Sequence, residues 1–119
     1  MTTAELESYA AELRASYPGC HLKTAPDQRE LVAEISPELA VAIIERSQPH
    51  FHRATTEVYR VLKGTLLVAR AGMGVVLQAG EEITLEPGQI HQAFGHGEPA
   101  WIEVISSPPW CADDHFVVM

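Results

Sequence analysis

From Leu31 onward the chain is a succession of short β-branched segments, each closed by a turn, with no helical stretch between them. LVAEI, AVAIIERS, TEVYRVL, GTLLVARA, GVVLQ, EITLE, QAFGH, AWIEVIS and HFVVM have the length and the valine and isoleucine content of strands. Ser36-Pro37, Lys63-Gly64, Gly72-Met73-Gly74, Ala79-Gly80, Glu86-Pro87-Gly88, Gly95 to Pro99 and Pro108-Pro109 separate them. Turn signals at intervals of about 8 to 12 residues point to an all-β sandwich or barrel.

The first segment differs. Thr3 to about Ser16 has the pattern of an amphipathic helix, with Leu6, Tyr9, Leu13 and Tyr17 on one face. Thr2 or Thr3 can cap it, Glu5 and Glu7 sit where the helix dipole favours negative charge, and Pro18-Gly19 ends it. With 119 residues, no solenoid-period repeat and no low-complexity linker, one domain is expected: a helix over 1–19 and a β-barrel over 31–119. The apolar helix face and the terminal HFVVM strand are surfaces that would cover open sheet edges in a homodimer.

Sixteen acidic against 8 basic residues give a net charge of -8, which disfavours nucleic acid and anionic membrane as partners. Cys20 and Cys111 are far apart and form no CxxC pair, so free thiols in a reducing compartment are expected. No signal-peptide h-region or membrane-length apolar run is present, and the expected location is the cytoplasm.

Chemistry concentrates around the histidines. On an extended strand, Arg46, Gln48, His50 and His52 fall on one face, so two imidazoles at i and i+2 can meet one ion. Glu57 follows five residues later, past the polar turn Arg53 to Thr56, and shares its face with Tyr59 and Val61. Pro87-Gly88-Gln89-Ile90-His91 then delivers a third imidazole from a tight turn. Three imidazoles and a carboxylate suit one divalent Fe, Mn, Ni, Co or Zn ion and are too nitrogen-rich for Ca or Mg. Four protein ligands on a five- or six-coordinate ion leave room for a small molecule. Arg46 and Gln48 are the candidate substrate contacts, and Tyr59 a candidate proton donor; Phe94 and Trp101 are further candidates for lining the pocket. His21, His96 and His115 lack comparable spacing and are expected at the surface.

The spacing H-x-H-x4-E-x6-G, at His50, His52, Glu57 and Gly64, resembles the first motif of the cupin family, and Gly80-x7-Gly88-x2-His91 resembles the second. Glu86 stands where a proline is usual, Gly95 where asparagine is common, and no glycine precedes His50-x-His52; these departures bear on turns rather than on ligation. The resemblance implies a double-stranded β-helix, a jelly-roll barrel preceded here by the short helix. It also implies a metal at His50, His52, Glu57 and His91, with Glu57 acting either as ligand or as base. The tail, through Ile102, Glu103, Val104, Asp113 and Asp114, is similar to the cupin domain of bacterial mannose-6-phosphate isomerases. The function so implied is a metal-dependent, isomerase-like reaction of a sugar or sugar phosphate. A non-haem metal dioxygenase and a non-catalytic small-molecule binder are the alternatives, since this fold hosts all three.

Overall fold

The computed structural model describes residues 1–118. Its helix α1 is Thr3–Ser16, and its strands are β1 (His21–Thr24), β2 (Glu30–Ser36), β3 (Leu39–Ile44), β4 (His50–Phe51), β5 (Thr56–Lys63), β6 (Leu66–Arg70), β7 (Met73–Leu77), β8 (Glu82–Leu85), β9 (His91–Gly95), β10 (Ala100–Ser107) and β11 (Phe116–Val117). They form two antiparallel sheets, ordered β1-β2-β3-β10-β5-β8 and β11-β4-β9-β6-β7. This is a jelly-roll β-barrel.

Alternation fixes how each strand sits. In β5, Glu57, Tyr59 and Val61 point inward while Arg60 is exposed; in β6, Leu66 and Val68 are buried. These residues join Ile44, Ile83, Leu85, Ala93 and Ile102 in the barrel interior. On β2 and β3 the opposite face is also covered. Leu31, Ala33, Val41 and Ile43 pack under Leu13 of α1, with Leu6, Tyr9 and Trp101 around them. Alpha-helix α1 is capped by Thr2, whose hydroxyl accepts from the Glu5 amide at 3.1 Å while the Glu5 carboxylate accepts from the Thr2 amide at 3.0 Å.

Several expectations need correction. His21–Thr24 is a strand that its polar composition concealed; it pairs with β2 at the sheet edge. AVAIIERS does not run through as one strand. β3 ends at Ile44, where the amides of both Glu45 and Arg46 donate to the Arg29 carbonyl, at 2.9 and 3.2 Å. Two successive amides on one carbonyl are the signature of a bulge, and here the chain leaves one sheet for the other. HFVVM contracts to Phe116–Val117, and Met119 lies outside the described residues. The helix face and this last strand, expected to cover edges in a dimer, are both used within the chain: α1 on β2 and β3, and β11 against β4. Among the described residues, no helix is long and apolar enough to cross a membrane.

Candidate metal centre and cavity

The two sheets meet at four side chains. His50 on β4 lies directly opposite His91 on β9, and His52 follows just past the end of β4. Glu57 comes from the other sheet, where β5 faces them across the interior. All four residues are at most 6% exposed, and each offers a ligand atom within 4.8 Å of the others. The turn at Gly88, whose positive φ of 84° suits glycine, donates its amide to the His52 carbonyl and so ties the two motifs together.

Hydrogen bonding settles which ring nitrogens face inward. Nδ1 of His50 meets the Gln48 carbonyl at 2.7 Å, Nδ1 of His52 the Asp114 carbonyl at 2.6 Å, and Nδ1 of His91 the Gln89 carbonyl at 3.0 Å. A carbonyl can only accept, so each Nδ1 carries a proton and Nε2 is the ring nitrogen left for the centre. Glu57 Oε1 sits 3.0 Å from His52 Nε2 and 3.2 Å from His91 Nε2, and these three buried atoms have no hydrogen-bond partner. Four ligand atoms gathered this closely could hold a metal ion. Two donors each about 2.1 Å from one ion and at right angles lie about 3 Å apart, so the spacing fits a bound transition metal.

The electrostatics agree. Burial, reinforced by His91, holds the His50 imidazolium acidic, with a pKa down to about 4, so the ring stays neutral and ready to ligate. Burial would raise the Glu57 pKa, but close contact with the His52 and His91 rings overrides it and brings it to about 2. Burial likewise works against the His52 imidazolium, yet the Glu57 carboxylate raises that pKa above its ordinary value. The first result favours a neutral His50, and the other two reflect the pairing of an ionised Glu57 with His52.

The centre opens onto a cavity of about 330 Å³, lined by His50 and Glu57 together with residues of β2, β3, β5 and the tail. Tyr59 lines it as expected, 4% exposed, its ring 5.9 Å from that of His91. Gln48 lines it too, on its exposed side. Arg46 does not. The bulge after Ile44 shifts the alternation by one residue, so Ser47 turns inward, accepting the Ala93 amide at 2.9 Å, and Arg46 is exposed, bridging to Phe94. Phe94 and Trp101 are likewise absent from the lining, and Trp101 packs edge-on against Tyr9 of α1.

His21 and His96 are exposed, as expected, but His115 is not a surface group. Its half-buried ring stacks on His50 at 4.7 Å, touches His52, and lines the cavity beside Trp110. Nothing in its spacing announced this, because the chain end is brought there by β11 pairing with β4. Asp114, next to it, holds the motif loop: its carboxylate accepts from the amides of Arg53, Ala54 and Thr55 at 2.8 to 3.2 Å. The other tail residues serve the fold. Ile102 is core, Glu103 lies on the outer face near Arg60, Asp113 is exposed, and Val104 alone of them borders the cavity. Glu30, on β2, also lines the cavity and was missed, since a lone glutamate on a strand carries no sequence signal.

The model of the Cupin domain matches residues 40–105, which carry both motifs. The chain belongs to the cupin family. No curated protein matches this cupin in sequence. Among solved structures it is similar to Pac13 from Streptomyces, described as a nucleoside dehydratase, at 16% identity and a TM-score of 0.73, covering 86% of this chain and 87% of that one. It is also similar to the polyketide cyclase RemF from Streptomyces resistomycificus, at 16% identity and a TM-score of 0.70, covering 87% and 82%. KdgF from Halomonas sp. aligns at 17% identity and a TM-score of 0.62, covering 78% and 91%. Identities this low speak for the shared cupin barrel.

Proposed function

We propose that this cupin is a metal-dependent enzyme that moves protons on a small, uncharged, oxygen-rich metabolite, in an isomerase-like reaction. The observation that carries the reading is the convergence of three imidazoles and a carboxylate, two of which, His50 and Glu57, line an open cavity. A divalent transition metal held by His50, His52, Glu57 and His91 would polarise a substrate carbonyl and acidify the neighbouring C–H. Glu57, with one oxygen between two imidazoles, serves in this reading as a ligand rather than as a base.

The chain's own groups limit the substrate. Glu30, Glu34 and Glu38 line the cavity, against the single cation Lys23. Lys23 is already paired with Glu34 at 2.8 Å and lies over the Trp110 ring. A phosphate dianion would meet carboxylates here, so a neutral hydroxy-carbonyl compound fits better than a sugar phosphate. Burial, with the charges of Glu57 and Glu30, raises the Tyr59 pKa well above its ordinary value, so Tyr59 stays protonated and can donate to a substrate oxygen. Gln48 offers an amide to a hydroxyl at the rim. The names of two fold relatives, a nucleoside dehydratase and a polyketide cyclase, denote reactions without net oxidation, in keeping with this class.

The test is anaerobic incubation of the metal-loaded protein with paired neutral and phosphorylated hydroxy-carbonyl compounds in D2O, followed by proton NMR. Deuterium entry or isomer formation from the neutral member is the expected result. Turnover only with oxygen, matched by oxygen uptake, would replace this reading with the dioxygenase one, and no turnover at all would leave a binder.

A further inference from the structure

We propose that Glu30 is the general acid–base of this site, the group that takes a proton from substrate carbon and returns it; this rests on the isomerase-like reading above. Three observations point to it. Glu30 and the His50–Glu57 pair line the same cavity but come from different strands, so a molecule filling that space touches both. The bulge brings Glu30 close: its neighbour Arg29 accepts the amides of Glu45 and Arg46, which lead through Ser47 and Gln48 into His50. And among the described residues the Glu30 carboxylate has neither hydrogen bond nor ion pair acting on it. The other cavity carboxylates differ: Glu57 is committed to His52 and His91, Glu34 to Lys23 and His21, and Glu38 is exposed to solvent.

A half-buried acid without a partner, set beside Val32 and the core residues Leu31 and Ala33, costs stability, and the fold gives it no internal task. Its surroundings set it up for proton transfer. Burial, then the charges of Glu57 and Asp27, raises its pKa to about 7, where either protonation state is at hand.

The step balances without an oxidant. The Glu30 carboxylate takes the proton from the carbon bearing a hydroxyl beside the carbonyl. The C–H electron pair forms the C–C double bond of an enediolate, and the carbonyl π pair moves onto its oxygen, whose charge a cation held by His50, His52, Glu57 and His91 would offset and Tyr59 can hydrogen-bond. The hydroxyl proton crosses to the neighbouring oxygen, and the Glu30 carboxyl delivers its proton to the second carbon.

Dihydroxyacetone is a suitable probe, small enough for the cavity and uncharged. Wild-type protein, Glu30→Gln and Glu30→Asp are compared for metal content, for probe binding through broadening of its NMR lines by bound Mn(II), and for deuterium exchange above the uncatalysed background. The expected result is equal metal content and binding in all three, with exchange lowered about 100-fold or more in E30Q and partly restored in E30D. Exchange in E30Q equal to wild type overturns the role of Glu30 and leaves the isomerase-like reading standing. Neither binding nor exchange in wild type overturns both.

Discussion

Burial raises the pKa of the Glu30 carboxyl above the ordinary glutamate range, and this has a consequence for stability that is separate from catalysis. Its folded-state pKa of about 7 lies above the ordinary 4.5, so the folded chain holds this proton more tightly than the unfolded chain. The associated stability is complete below pH 4.5 and is lost as pH rises through 7. Glu30→Gln is therefore expected to raise stability by about 1 to 3 kcal/mol at pH 8 and to change it little at pH 5, as read by urea denaturation at both values. A stabilisation independent of pH would mean that the charge is not the cause. At this scale the sequence was readable where spacing alone decides. His50, His52, Glu57 and His91 meet as their motif positions imply. It misled where alternation was counted through Ile44 to His50, because one inserted residue at the bulge turned Ser47 inward and Arg46 out. His115 and Glu30 reach the site only through the folded path of the chain, which no local pattern encodes.

Among the elements, the tail is the part whose role the sequence showed least. The turn at Ala112–Asp114 clamps the loop between β4 and β5 through one carboxylate and orients His52 through one carbonyl. Asp114→Ala removes the carboxylate's three amide partners at once, and the expected cost is about 1 to 2 kcal/mol, or a fall in Tm of about 3 to 8 °C. Metal affinity should drop about 10-fold as the loosened loop lets the Asp114 carbonyl drift from His52, measurable by competition with a chelator. Gly95 explains one departure from the family pattern. A Cβ there would collide with the carbonyls of Glu98 and, at 2.7 Å, Ile44, where β9 passes close to the chain leaving β3. Asparagine, common at this place in the family, should cost about 2 kcal/mol or more in this chain, seen as a lower urea midpoint. An unchanged midpoint would show that the backbone yields there. Most strands from Leu31 on were legible because they are β-branched runs between glycine or proline turns. β1 escaped notice because HLKT is a polar edge strand, recruited by pairing with β2.

At the level of the whole molecule, the expected homodimer has lost the two surfaces first assigned to it, since α1 and β11 are packed within the chain. The apolar edge left open is β7, where Met73 and Val76 are 72% and 58% exposed. If copies pair, that edge is the expected contact: sedimentation equilibrium should give a dimer that Val76→Glu converts to a monomer, and a monomeric wild type would exclude it. The central claim is simpler and concerns the ion that His50, His52, Glu57 and His91 are proposed to hold between the two sheets. Metal analysis of protein purified without added metal, set beside His50→Ala and His91→Ala, tests it most directly. The prediction is one transition-metal ion per wild-type chain and almost none in either variant. Full metal content in a folded variant would contradict it.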